Sequence, residues 1–441
     1  MNYIVKIFNY QFYLKELLVV FFTYLLMENI FSWLLLPNSS ILLAYEKGLS
    51  ILIFGYVMYY FNNLKPSEKV YIGLFTGVML MLVFESMLKY GSFFQQFTLF
   101  TILFPVVFTI FIKCACRSLK LDFLEFIAKF YLIVYTAFML IYGRGFSFSL
   151  EAVEMKDYGP FSGDSRIIHA RSVLMMILPL LWYLNKFIIT NKIKHLLPVI
   201  FCVAIIVIHQ HRSVWASTIL AVLVYFFISL RNKVTPVPKV WSIFVGGLGV
   251  LLLSWFFVYN LFPGLTNFLG ERFSEILDPA KEGSTGEFRA LQREVYGNLF
   301  LERPLFGWTF EGFYMPNPLV DWWPKNSGQH FHEGYMEMLF YHGISGFLLK
   351  HWFLLYLTYK AFSRKLSHES VILVAFSLVG LLFSFSYVLP LVYWGHVGMC
   401  LYYLEKPEVQ NLHDLNHEDV PLRILTEDDL PVKGPTLISN H

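Results

Sequence analysis

Runs of about twenty mostly apolar residues, long enough to cross a bilayer, recur from one end of this chain to the other. They fall at roughly 17–36, 48–62, 70–90, 93–112, 122–143, 166–185, 195–211, 214–230, 240–262, 333–359, 370–387 and 390–404. That pattern predicts an all-α polytopic membrane protein of about twelve spans, or about eleven if the last two merge. Composition agrees: of 441 residues 56% are hydrophobic and 15% charged, and mean hydropathy is +0.55. The net charge of +3 is too small to point to nucleic acid. Cys114, Cys116, Cys202 and Cys400 offer no disulfide framework, and the Cys114/Cys116 pair lacks the second pair that zinc would need. The first apolar run begins near Leu17 and is long enough to stay in the membrane rather than be cleaved.

Basic residues orient these spans. Lys65 and Lys69, then Lys113, Arg117 and Lys120, then Lys186, Lys192 and Lys194 all follow even-numbered spans. So do Arg231, Lys233 and Lys239, and later Lys360, Arg364 and Lys365, whereas the short loops after odd-numbered spans are nearly free of positive charge. By the positive-inside rule both termini are cytoplasmic and the odd-span loops face outward. Two outward loops are long, 144–165 and 263–331. The second, between spans nine and ten, is the large extracytoplasmic feature of a membrane domain covering 1–404. Residues 405–441 are polar and acid-leaning, and read as a disordered cytoplasmic tail.

Within the large loop, Phe288, Leu291, Val295 and Leu299 recur at helical spacing. They predict an amphipathic helix that carries Arg289 and Arg293 one turn apart on one face. Pro304-Leu305-Phe306-Gly307 ends it, and Trp308, Trp322 and Trp323 suggest a rim at the membrane interface. The loop runs into Gln329-His330-Phe331-His332-Glu333-Gly334-Tyr335-Met336-Glu337, with two imidazoles and two carboxylates at the mouth of span ten. Charge is expensive at a membrane and commonly marks function there. Further on, Gly343 and Gly346 read as ordinary close helix packing.

Arg212, in the tight turn between spans seven and eight, is a second signal. It is a basic residue in a short outward loop, against the pattern set elsewhere. Alone it would pass for a snorkelling side chain on lipid phosphate. Topology, however, puts Arg212, Arg289 and His332 on one face of the membrane. A guanidinium offers a planar fork of donors suited to phosphate, and histidine can take a proton from a hydroxyl near neutral pH. Together they suit displacement of a phosphate or pyrophosphate leaving group by an alcohol. Fixed positive charge would replace a metal there. His330 competes with His332 for the part of base, and Glu333 could orient either. No nucleotide-binding glycine loop or Asp-x-Asp metal signature is present. Glu16, Glu28, Glu46, Glu85 and Glu125 lie in or beside early apolar segments, where they are proton-coupling groups or helix-end partners.

His332-Glu333 followed by Gly343-Ile344-Ser345-Gly346 resembles the span-ten motif of the O-antigen ligase superfamily, which includes O-antigen polymerases and bacterial protein O-oligosaccharyltransferases. Arg289, Arg293 and then Pro304-Leu305-Phe306-Gly307 are similar to the helix that precedes Pro-x-x-Gly in those proteins, and Arg212-Ser213 to their other arginine. The resemblance implies a metal-independent, inverting glycosyltransferase of the bacterial inner membrane with no cofactor. It would draw glycan from undecaprenyl pyrophosphate on the periplasmic side, with lipid A-core, a second lipid-linked glycan or a protein as acceptor. Arg212 and Arg289 would hold the pyrophosphate and His332 would activate the acceptor hydroxyl, with Arg293, His330 and Glu333 as further substrate contacts. Two positions depart from the family pattern: Glu333 stands where Asn, Ser or Gln is usual, and Arg293 where an aromatic is common. A flippase or exporter of lipid-linked oligosaccharide is the alternative. It would carry charge through the middle of the bundle rather than at one face.

Overall fold

A computed structural model describes residues 4–7, 10–142, 168–233, 236–261 and 285–406 apart from 322, with a few isolated positions between 262 and 284. The loop 144–165, most of 262–284, Trp322 and the tail beyond Lys406 lie outside the described residues. The chain opens on a short antiparallel pair, β1 (Ile4–Ile7) with β2 (Tyr10–Tyr13), in register Ile4↔Tyr13 and Ile7↔Tyr10. The helical reading did not anticipate it.

All the regular secondary structure that follows among the described residues is helical. The first half comprises α1 (Leu14–Val19), α2 (Asn29–Leu35), α3 (Ser39–Tyr59), α4 (Pro66–Tyr90), α5 (Phe97–Leu103), α6 (Pro105–Leu119) and α7 (Leu124–Tyr142). Next come α8 (Ala170–Val173), α9 (Ile177–Thr190), α10 (Leu196–Ile208), α11 (Arg212–Arg231) and α12 (Val237–Leu261). The last part holds α13 (Thr285–Glu302), α14 (Thr309–Tyr314), α15 (Gly334–Ser363), α16 (His368–Phe383) and α17 (Leu391–Glu405). Each apolar stretch predicted to span falls on one of these helices or on a bent pair. Among the described residues five helices are long and apolar enough to cross a membrane, and seven if each bent pair counts as one span. Two of the predicted spans are bent, α1 with its following turn meeting α2 at 103° and α5 meeting α6 at 47°, and the helices at α10 and α16 are short.

Helix starts follow local chemistry. Asn38 accepts the N–H groups of Ser40 and Ile41 to open α3, and Ser367 accepts that of Ser370 to open α16. Pro66 stands in the first turn of α4, with Glu68 reaching back to the Lys65 N–H at 2.9 Å, and Gly91 closes the helix at φ 65. The early carboxylates are used in the same way. Glu16 accepts from the Tyr13 N–H, and Glu28 caps α2 through Phe31. Glu85 pairs with Lys89, and Glu125 with Lys129. Glu16, Glu85 and Glu125 thus serve helix ends, whereas Glu28, buried and also bonded by the Tyr135 hydroxyl at 3.1 Å, serves both a helix end and the bundle interior.

The core draws on both halves of the chain: Val106–Phe108 of α6 and Val173–Leu178 across α8 and α9 are wholly buried. Along α16, Val371 to Phe376 and Val379 are wholly buried, and α17 is buried along most of its length. Helix α16 lies along α11, and α17 along α6. Leu and Phe side chains on α3, α4 and α12 are exposed, as expected of faces that meet lipid. At one end of the bundle Glu68 pairs with Lys113 and Arg117 at 2.9 and 2.8 Å, and Glu405 pairs with Lys113 and Lys65 at 2.7 and 2.8 Å. The ends of the second and fourth predicted spans thus gather with the last helix. At the opposite end Lys89, closing α4, bonds Glu311 of α14 at 2.6 Å.

Candidate active site

Helix α13 holds the loop that carries His332. Gln292, fully buried, donates from its amide to the His330 carbonyl and accepts the His332 N–H at 3.4 Å. The Tyr296 hydroxyl donates to Gln329 at 2.9 Å. Gln329 in turn donates to the carbonyls of Gly312 and Met315 at 2.9 and 2.6 Å, and its N–H reaches the Tyr341 hydroxyl at 2.7 Å. Residues 329–332 are therefore fixed from three helices.

His332 is walled by rings. Phe288 lies 5.6 Å away and His330 4.6 Å, both edge-on, and Trp323 packs on His330 at 4.3 Å. The Trp323 indole N–H is bonded to Gly328, and that of Trp308 to Leu299. Both are thus spent on folding the loop. Burial, followed by the nearby His330, Arg289 and Arg171, pushes the His332 pKa down to about 4. The imidazole is neutral at neutral pH and free to accept a proton.

Arg289 lies with its guanidinium carbon 5.3 Å from the Tyr387 ring. Its Nε is buried and unbonded, and among the described residues no carboxylate pairs with it. Arg293 behaves differently. It makes a forked contact with Glu333, Nε to Oε1 at 2.9 Å and Nη2 to Oε1 at 2.7 Å, and this raises the arginine's pKa. The two departures from the family pattern are thus each other's partner, and Glu333 binds a guanidinium rather than an imidazole. Arg212 is the first residue of α11 and half-buried. Its neighbour His211 bonds the Ile168 carbonyl at 2.7 Å and lies 6.5 Å from His169, which lies 5.8 Å from Tyr387. His330, His332, Arg289, Arg293 and Glu333 therefore form one group, with the start of α11 reaching it through a chain of rings.

Gly343 corrects its packing interpretation. It sits at φ 60 and ψ −163 inside α15 and breaks the helix. Pro304-Leu305-Phe306-Gly307 docks into that break. Ile344 N–H bonds Pro304 at 2.9 Å, Ser345 N–H bonds Leu305 at 3.1 Å, and Trp308 N–H bonds Phe340 at 2.8 Å. A Cβ on Gly343 would meet Leu305 backbone at 2.5 Å, and one on Gly307 the Phe340 carbonyl at 2.6 Å. Only glycine fits on either side. The expectation that charge stays at one face also fails, since Lys350 and His351 of α15 are buried within the bundle.

Sequence reasoning passed over Gln292, Tyr387 and Arg171. Gln292 follows Arg289 by three positions, on a shared helical face. Arg171 opens the sixth predicted span at its outward end, the same anomaly of sign that singled out Arg212. Tyr387 gave no signal.

Residues 197–350 match the family model described as O-antigen ligase, and this match supports the resemblance to the O-antigen ligase/polymerase family. A search of curated proteins finds no match to this chain.

Proposed function

We propose that the protein transfers a glycan from undecaprenyl pyrophosphate to an acceptor hydroxyl at the periplasmic face of the bacterial inner membrane, without a metal. The observation that carries this reading is Arg289, whose buried Nε has no partner among the described residues, beside a neutral His332. His332 takes the acceptor proton as the oxygen attacks the anomeric carbon with inversion. The bond from that carbon to the phosphate oxygen breaks, and its electron pair leaves with the pyrophosphate. Arg289 and Arg212 hold the departing charge. An imidazole held to about 4 is a weak base in the empty site. The donor's phosphates add negative charge beside it and raise its basicity, so the base comes into tune once the donor is bound.

Supplying purified protein with lipid-linked donor and candidate acceptors tests this. Glycan should move to one acceptor, and Arg289→Ala or Arg212→Ala should abolish the transfer while protein remains in the membrane. Wild-type rates in either variant would remove that arginine from the site. The buried Lys350 favours the flippase alternative, which predicts lipid movement between leaflets with no glycan transferred.

A further inference from the structure

Beyond the break at Gly343, residues 344–363 of α15 form a rod of about 30 Å, the thickness of a bilayer's hydrocarbon core. Ile344, Leu348, Trp352, Leu355 and Tyr359 recur along it at steps of three and four and are all exposed, an apolar stripe that meets lipid. Lys360, its ammonium 5.8 Å from the Tyr359 ring, closes the end that loop charge places inside, so Ile344 stands at the outer edge of the hydrocarbon. The Pro304–Gly307 turn is bonded to the backbone at that edge, the Ile344 N–H donating to Pro304 and the Ser345 N–H to Leu305. Leu305 and Phe306 on the turn, and Leu301 one helical turn before it, are each more than half exposed. They continue the stripe past its top residue. The end of α4 and the loop after it, tied to α14 through Lys89 and Glu311 at 2.6 Å, also leave Phe84, Leu88, Phe93 and Phe94 exposed.

Polarity changes at this point of the chain. The exposed residues of α13 are mostly polar as far as Asn298, among them Glu287, Arg293 and Glu294. From Leu301 to Phe306 they are apolar apart from Glu302 and Arg303. Arg303 is already occupied, its guanidinium carbon 4.1 Å from the Trp308 ring and its Nη1 2.5 Å from Glu311. Pro304 has no N–H, its carbonyl and that of Leu305 are held by α15, and the Gly307 N–H bonds the Arg303 carbonyl at 3.0 Å. A turn with these backbone groups spent can enter an apolar medium that would reject an open loop. We propose that Leu301, Leu305 and Phe306 are a lipid anchor, inserted among the acyl chains just beneath the headgroups of the leaflet on the side of His332. Helix α13 carries Arg289 about 18 Å from Leu301, so the anchor fixes the height of the site above the membrane. The inference goes beyond the transfer reading and holds whatever chemistry the site performs.

Spin labels on single added cysteines test this in the full chain, reconstituted into phosphatidylethanolamine–phosphatidylglycerol vesicles. Unsubstituted protein, whose Cys116, Cys202 and Cys400 are buried and Cys114 half-buried, gives the labelling background. Collision rates with oxygen, which concentrates in hydrocarbon, are compared with those of a water-soluble nickel chelate. Labels in Leu305→Cys and Phe306→Cys should favour oxygen several-fold more than one in Lys325→Cys, at an exposed lysine of the same loop. They should approach the ratio of Trp352→Cys on the α15 stripe. Leu301→Cys should behave likewise, and it carries the test if either of the other two fails to fold. Oxygen-to-nickel ratios at 305 and 306 equal to that at 325 overturn the anchor. So does protection from both reagents, which would mean that protein covers the face; line broadening that disappears on dilution with unlabelled protein would identify a second copy as the cover.

Discussion

At the scale of single residues, the site divides its charges into spent and unspent. Arg293 is spent on Glu333, whose carboxylate is only 2% exposed while the arginine is 48% exposed. Removing the arginine strands a buried anion, whereas removing the carboxylate strands a cation that water can reach. Arg293→Ala should therefore destabilise the protein by roughly 1–3 kcal/mol, and Glu333→Gln by less, read from thermal unfolding in detergent. Equal effects would mean that solvent screens the pair. His332→Ala should lower transfer by about 10²–10⁴, and more than His330→Ala; the reverse order would make His330 the base. For pH, the depressed His332 value fixes the sign. The unfolded imidazole protonates near its ordinary 6.5 and the folded one only near 4. Its contribution to stability is then complete above about 6.5 and declines as pH falls towards about 4. The acid limb of transfer by the free enzyme should likewise fall near 4, and a limb near 6.5 would mean that the site is wetter than its geometry. Arg289, His330 and His332 were legible from residue type and order. Gln292 and Tyr387 were not, because an amide and a phenol have no rule of sign or period to violate.

At the scale of elements, the decisive join is between the Pro304–Gly307 turn and the break in α15. Gly343→Ala should cost at least about 1–3 kcal/mol, since its backbone is strained for any side chain and its Cβ would collide with Leu305. Gly48→Ala, in α3 with nothing within 4 Å, should be neutral or stabilising by about 0.5–1 kcal/mol. Unfolding temperatures of the two variants that moved together would refute the contrast. The sequence signalled that Pro304-Leu305-Phe306-Gly307 ends α13 and that Gly343 and Gly346 matter, yet not that Gly307 and Gly343 face each other. Hydrophobic periodicity locates helices and is blind to a backbone-to-backbone fit across thirty-six positions of chain. The same limit hid the N-terminal hairpin and the sharp bends near α2 and α6, where apolar character runs on through a change of direction.

For the whole molecule, sidedness rested on loop charges, and the packing agrees in its relative sense. Lys65, Lys113 and Arg117 meet at one end with Glu405, while the end of α4 meets the loop helices at the other. Glu68 ties that first end together at 4% exposure. Glu68→Gln should cost about 3–5 kcal/mol by leaving Lys113 and Arg117 without their carboxylate, and a change below about 1 kcal/mol, measured by denaturation in detergent, would show that Glu405 suffices. Chelators should leave glycan transfer intact; loss reversed by a divalent ion would contradict a mechanism carried by arginine alone.

The interruption at Gly343 has one more effect. Along an unbroken helix Glu337 and Lys350 would stand about 20 Å apart, out of useful range of each other. The break at Gly343 interrupts the rod between them, and three N–H bonds to and from the docked Pro304–Gly307 turn hold the joint in that shape. Any load that an incoming glycan places on the outer turn must then be borne by the spanning rod, because the joint between them has no slack to take it up.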